Sequence, residues 1–333
     1  MRWFASPRSL RRAGIAGMNW RNAALIAEQN PRRFYPRVDD KLLTKKLAQG
    51  AGIAVPELYA QVRTNHDASD MHQILDALDG FVIKPAHGSG GEGIVVVLGR
   101  SGTMFRKASS ALIDHEGLTH HVSNILSGMY SLGGQPDTAM IEQRVVFDPL
   151  FERITHQGVP DIRTVVYRGV PILAMVRLPT RLSDGKANLH QGAVGAGVDM
   201  ATGALTTGIW HNQPVDVHPD SHNAIAGLQI PSWERLLEIA ARCYELTGLG
   251  YLGVDVVLDA HRGPLMLELN ARPGLSIQLA NRVGLRHRVA EVDRAAPVAA
   301  PAGARVAFAM QTFGGIVAPE VIRAASQAVD GPA

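Results

Sequence analysis

Cysteine is almost absent from this sequence of 333 residues: Cys243 stands alone, so no disulfide can form within the chain and a reducing compartment is expected. Long apolar runs are also missing. None reaches the roughly 18 residues that a membrane-spanning helix needs. The start has no continuous apolar stretch of the kind that opens a secretory signal, and a cytoplasmic location is expected. A strong charge imbalance is lacking too, with a formal net charge of +3. The central chain has no basic face for nucleic acid. Lysine is scarce: among 33 Lys and Arg residues only Lys41, Lys45, Lys46, Lys84, Lys107 and Lys186 are lysines. What remains, 46% hydrophobic and 19% charged, is the composition of a globular enzyme, and the length predicts two or three subdomains.

Residues 81–97, FVIKPAHGSGGEGIVVV, read as strand, glycine-rich loop, strand. Phe81, Val82 and Ile83 suit a buried strand, and Pro85 ends its ladder. Gly88, Gly90, Gly91 and Gly93 clear side chains from a backbone that can aim N–H groups at an anion. Lys84 adds a compact charge at the loop's base, where arginine would present a bulky fork. The reading is of a phosphate cradle, with an ordinary flexible hairpin loop as its alternative. The spacing matches neither GxxxxGK[ST] nor a GxGxxG that opens a helix.

Residues 1–38 are basic, with Glu28 the only acid before Asp39. Ser6-Pro7 predicts a helix running to about Gln29. It is read as packing on the main body, with docking on a membrane surface or partner protein as the sharper alternative and a transit peptide as a third. Asp39 is placed as the cap of a helix over residues 40–49, with Leu42, Leu43 and Leu47 on one face. Lys41, in its first turn, opposes the helix dipole and so is expected to have another partner. Residues 138–146 read as a strand whose polar Glu142, Gln143 and Arg144 suggest an edge or a cleft. A hairpin spans residues 162–178, and residues 179–191 are turn-rich. GAVGAGVDMATG alternates too loosely for a strand. Residues 232–247 form the clearest amphipathic helix. The Ala/Pro-rich stretch from 291 to 333 reads as a linker or loosely packed tail.

YLGVDVVLD and PLMLELN form two strands joined by the turn AHRG. Glu268 and Asn270 are two apart and so share a face. Asp255, inside the first strand, is costly to bury alone. An oxygen-only set of Asp255, Glu268 and Asn270 selects a hard cation such as magnesium, the alternative being salt-bridged carboxylates at a sheet edge.

Taken in order, the Lys41 helix, FVIKP with its glycine loop, IEQRV, DIR, NLHQG, GVDVV and LELNARPG resemble the ATP-grasp superfamily. Within it they resemble the α-L-glutamate ligases, over about residues 39–285. The resemblance implies an α+β fold of two subdomains gripping ATP: residues 39–145 with the glycine loop and 146–290 with the metal site, following the basic segment 1–38. It implies that Lys41 and Lys84 hold phosphates and that Gly88, Ser89, Gly90, Gly91, Glu92 and Gly93 close over them. Glu142 would meet the adenine amino group, the backbone at Gln143 and Val145 the ring edge, and Asp161 the ribose. Asp255, Glu268 and Asn270 would bind two magnesium ions, with manganese as a substitute. Arg163, Arg177, Lys186, Asn188 and His190 would line the substrate side. Those ligases carry a larger N-terminal domain than the 40 or so residues here, so substrate identity does not carry over. Arg272, in LNARPG, stands where the family has small residues. It is read as engaging a substrate carboxylate or, alternatively, as a surface salt bridge.

The expected function is an ATP- and magnesium-dependent carboxylate–amine ligase, joining a small-molecule or peptide carboxylate to an amino acid such as glutamate. The rivals are a catalytically inactive ATP-binding accessory protein of a membrane-associated system, and a kinase on the same fold. An oligomer is compatible with either.

Overall fold

The structure is a computed structural model that describes residues 6–315 except Ser89, Leu132 and Ala296. The phosphate-loop assignment of Ser89, and the parts of the expected basic segment and tail at residues 1–5 and 316–333, lie outside the described residues.

The single N-terminal helix expected to reach Gln29 is broken. Helix α1 (Pro7–Arg12) ends before Gly14, and α2 (Met18–Trp20) continues as π-helical turns over Arg21–Ala27. Gly14 has φ +70°, and a Cβ there would lie 2.2 Å from the His287 ring, so only glycine fits the break. Beyond the break the segment joins the body. Ala16 and Leu25 enter its core, and Asn30 hydrogen-bonds the main chain of Tyr251 and Ala271. Short α3 (Pro36–Asp39) leads into α4 (Lys41–Gly50), whose cap is Asp40 rather than Asp39. The Asp40 carboxylate accepts from the N–H groups of Leu42 and Leu43. The buried face of α4 is Thr44, Lys45 and Ala48, and the three leucines expected there are half-buried.

The first sheet holds β1 (Leu58–Val62), β2 (Phe81–Pro85), β3 (Val95–Ser101), β4 (Met104–Lys107), β5 (Leu112–Ile113) and β6 (Ala139–Gln143). Their order is β1-β6-β2-β3-β4-β5, with every pairing antiparallel. Helices α5 (Asn65–Asp70), α6 (His72–Asp76) and α7 (His115–Leu126) pack Ala68, Leu75, Leu118 and Val122 against Phe81, Ile83 and Ile141. By the period of two, Val82 and Lys84 face the other way, as do their cross-strand partners Glu142 and Met140. Strand β6 pairs with β1 and β2 and so is interior, not an edge; Glu142 faces the cleft and Gln143, opposite Phe81, the other way.

The second sheet holds β7 (Asp161–Tyr167), β8 (Val170–Leu178), β9 (Val194–Val198), β10 (Leu205–Trp210), β11 (Gln213–Val215), β12 (Tyr251–Asp259) and β13 (Gly263–Asn270). The order is β11-β10-β9-β8-β7-β12-β13. Every residue of β7 and β12 is buried, which their nearly continuous β-branched runs foretell. Helix α8 (Trp233–Thr247) packs its apolar stripe on this sheet. The loosely alternating VGAGV is a strand after all, buried at all five positions. A Cβ at Gly197 would lie 2.4 Å from the Ala280 carbonyl oxygen, so glycine there records the close approach of α9 (Ile277–Asn281). Helix α10 (Leu285–Ala295) follows. The expected loose tail contains α11 (Ala302–Phe313), which buries Arg305, Val306, Ala309 and Phe313, a one-sided helical spacing that the neighbouring alanines and prolines obscure.

The two sheets are joined by two crossings side by side. On one, Ala54 accepts from Met266 N and Glu57 accepts from Gln143 N. On the other, Val146 N donates to Asp259 Oδ2 and Asp148 N to the Leu258 carbonyl. Val145 packs here with Val257, Leu265 and Leu267.

Candidate active site

Between the sheets lies a cleft. Apolar side chains, Val38, Val55, Met140, Met266, Leu267 and Leu269, line it together with Lys41, Thr44, Lys45, Lys84 and Glu268. Flat apolar walls meeting a cluster of cations are what a base with attached phosphates requires.

The cation end is built from α4 and β2. Lys45 stands four residues after Lys41, so both share one side of α4. Lys45 Nζ lies 2.9 Å from Glu142 Oε2, and Lys84 Nζ binds Glu142 Oε1. Burial opposes ionisation of Glu142, but Lys84 and Lys45 outweigh it and hold its pKa below the usual carboxylate value. Burial pushes Lys41 down, partly offset by Glu268, and pushes Lys45 down, partly offset by Glu142. Glu142, expected at the adenine amino group, is thus held between two lysines. Gln143 has its N–H engaged by Glu57, and its side chain accepts from Glu57 N and Arg262. Lys41 has the partner its unfavourable place in the first turn calls for: Nζ donates to the Gly88 carbonyl.

The loop is fastened at its base. Asp137 accepts from His87 N at 3.0 Å and from Ser131 Oγ at 2.8 Å, and its Oδ1 lies 2.7 Å from His87 Nδ1. Burial works against the charge on Asp137, and these hydrogen bonds outweigh it, lowering its pKa. Beyond this anchor Gly90, Gly91 and Gly93 have φ of +68°, +79° and +71°. A Cβ at Gly93 would meet the Tyr130 ring at 2.6 Å, and one at Gly91 would reach Lys186 Cδ at 4.0 Å. The loop therefore faces residues 179–191 of the other sheet across the cleft mouth. Glu92, Lys186 and His190 are exposed there, and Asn188 caps the turn Leu189–Gln191 by accepting from His190 N.

Opposite stands a row of charges on four adjacent strands. Arg177 on β8 is in register with Asp161 on β7, Arg163 on β7 with Asp255 on β12, and Asp255 with Glu268 on β13. Arg163 Nε and Nη2 donate to Asp255 Oδ1 and Oδ2 at 2.7 and 2.5 Å. Arg177 binds Asp161 through Nε at 2.6 Å and Asp255 Oδ2 through Nη2 at 2.7 Å. Burial opposes the charge on Asp255, yet Arg163 and Arg177 override it and hold its pKa down at about 2. Burial pushes Asp161 up, against Arg177, and the Asp255 charge adds to the rise. Asp161, expected at a ribose, is thus enclosed and committed to Arg177.

The three expected metal ligands do come together. Asn270 faces Gly253, next along from the Asp255–Glu268 pair on the same face. An ionised carboxylate offers about four lone-pair positions. The arginines take three on Asp255, leaving one on Oδ1. The Glu268 side chain is 40% exposed and its nearest guanidinium nitrogen is 4.0 Å away. Asn270 Oδ1 accepts one bond, from Arg272 N. Among the described residues no three His, Cys, Asp or Glu side chains form a metal cluster on their own. Two carboxylates and an amide fit magnesium if phosphate oxygens complete the shell. Arg272 lies over the Tyr35 ring, 5.1 Å from its centroid.

The sequence reading gave no role to Lys45, His87 or Asp137. The four-residue spacing from Lys41 was available for the first. His87 and Asp137 lie fifty residues apart and meet only by folding.

A family model described as sugar-transfer associated ATP-grasp matches residues 20–294. The chain is similar to a probable alpha-L-glutamate ligase from an Enterobacter species, 26% identical over 240 residues, covering 72% of this chain and 57% of that protein. A probable alpha-L-glutamate ligase of Klebsiella pneumoniae is 27% identical over 263 residues, covering 78% and 65%. The chain thus spans about three fifths of the length of these curated relatives. Among solved structures it is similar to the ATP-grasp ligase PsnB complexed with minimal precursor, with a TM-score of 0.43, 14% identity and coverage of 81% of this chain and 64% of that one. It is also similar to the D-cycloserine synthetase DcsG, with a TM-score of 0.44, 17% identity and coverage of 79% and 72%.

Proposed function

Because the chain belongs to the sugar-transfer associated ATP-grasp family, we propose that it is an ATP- and magnesium-dependent carboxylate–amine ligase. The observation that carries the reading is a lysine cluster sharing one cleft with Glu268, the outermost member of the row Arg177, Asp161, Arg163, Asp255 and Glu268.

Lys41, Lys45 and Lys84 neutralise the triphosphate, and the apolar walls beside Val145 and Leu267 take the base. Glu268 and Asn270, with the open position on Asp255, would hold magnesium, which would supply positive charge against that of the phosphates. A substrate carboxylate oxygen attacks the γ-phosphorus in line, the bond to the bridging oxygen breaks, and ADP leaves. An amine nitrogen then attacks the acyl carbon. Phosphate departs with the carbon–oxygen electron pair, and the amine loses a proton. Arg163, Arg177 and Lys186 are the cations available to stabilise charge growing on the reacting oxygens. The glycine loop closes towards Lys186 and excludes water, which would otherwise hydrolyse the acyl phosphate.

The finer assignment is that an amino acid such as glutamate is the amine, supported by the relatives named probable alpha-L-glutamate ligase. The test is ADP release in the presence of pooled carboxylates and amines. Release that requires both partners is expected. Release that needs only a hydroxyl acceptor favours the kinase, and ATP binding without any turnover favours an accessory protein.

A further inference from the structure

Two segments remote in sequence meet on the second-sheet side of the molecule. Arg286 N donates to the Gly14 carbonyl, His287 Nε2 lies 3.0 Å from the Arg12 carbonyl, and the Gln278 side chain bonds Ala16 in both directions. Residues 6–27 and 275–290 contain no aspartate or glutamate at all. They bring Arg8, Arg11 and Arg12 beside Arg286, whose guanidinium lies over the Trp20 ring. Helix α1 buries none of its residues, although Ser6 caps it and Pro7 starts it. It is an ordered element that contributes nothing to the core. Apolar side chains stand out among these cations: Leu10 is 41% exposed and Met18 66%. The region adjoins the 271–276 loop that follows the metal strand, since Arg21 Nη1 donates to the Pro273 carbonyl.

We propose that this face docks the protein on an anionic membrane surface. Cations without acids complement lipid headgroup charge, and exposed leucine and methionine among them suit the headgroup–acyl boundary. An acidic protein or a nucleic acid would use the charge but leave the projecting side chains without an apolar partner. The consequence is placement: the 271–276 loop that follows β13 would lie near the lipid surface. The inference stands apart from the ligase reading, because it rests on residues outside the cleft.

The experiment is sedimentation of the full-length chain with vesicles of equal parts phosphatidylglycerol and phosphatidylcholine, and with phosphatidylcholine alone. Binding to the anionic vesicles only, weakened by salt, is expected. The charge-reversed variant Arg8→Glu/Arg11→Glu/Arg12→Glu should bind about tenfold more weakly or less. Leu10→Ser/Met18→Ser should lose binding about severalfold at unchanged charge. ATP binding by each variant, measured alongside, should match the wild type and so report an intact fold. No vesicle binding, or equal binding to both vesicles, overturns the proposal. Undiminished binding by the Leu10/Met18 variant also overturns it, and marks the face as a site for a soluble polyanion.

Discussion

Asp255 and Glu268 face each other in register across β12 and β13, yet Asp255 is fully buried under two guanidinium groups while the Glu268 side chain is 40% exposed. One carboxylate is fixed by the fold and the other is open to the cleft. Glu268→Gln removes the open charge with little change in volume. It should leave thermal stability nearly unchanged and reduce magnesium-dependent ADP release by about two powers of ten or more. Turnover close to wild type would remove Glu268 from the metal site.

Asp255→Asn leaves Arg163 and Arg177 short of a buried counter-charge, and should cost about 3–5 kcal/mol of stability in denaturant titrations near neutral pH. The pH dependence has a definite sign. A carboxyl whose folded pKa of about 2 lies below its ordinary 3.8 contributes stability above pH 3.8 and loses it as pH falls towards 2. The gap between wild type and variant should therefore narrow across that window. A gap that is constant from neutral pH down to 2 would contradict the pairing.

Lys186 is exposed and touches the glycine loop only across the cleft mouth. If it acts on the transferring phosphoryl group, Lys186→Met should lower kcat by roughly two to four powers of ten with ATP affinity, read by calorimetry, little changed. Loss of affinity at unchanged kcat would assign it to ground-state binding.

Asn30 ties the N-terminal segment to the strands that carry the carboxylates. Its side chain accepts from Tyr251 N and donates to the carbonyls of Tyr251 and Ala271. Asn30→Ala should cost about 1–3 kcal/mol by urea denaturation, because it strands buried main-chain groups. Deleting residues 1–30 should destabilise the chain more, since Ala16 and Leu25 leave the core as well. A truncated chain as stable as the full one would show the segment to be dispensable.

Cys243 is fully buried on α8, and burial pushes its thiol pKa up to about 12. A thiol-specific reagent should therefore fail to label the native protein at neutral pH and label it promptly in denaturant.

Legibility followed locality. The hairpin β7–β8, the pair β12–β13, α8, and the strand–loop–strand around Lys84 all carry their periodicity and turn residues within a short window. Strand β9 does not, because Gly197 is chosen by a neighbour distant in sequence, the Ala280 carbonyl. Helix α11 is masked by an alanine- and proline-rich surround. The stretch from Pro7 to about Gln29 reads as one helix because nothing local announces that Gly14 must make room for His287. At the site, the residue types were readable one by one. The partnership of Glu142 with Lys84 depends on strand order, β6 beside β2, which no spacing encodes, and that with Lys45 on the packing of α4.

The paired crossings at Ala54–Glu57 and Gln143–Val146 make the join between the sheets a strap with one free axis. Two adjacent strands bend together easily and resist shearing past one another. In the proposed reading a base near Val145 and Leu267 would sit beside this join, where a change in the angle between the sheets would displace it least. The glycine loop leaves the far end of β2, away from the join, so the same change would move it most.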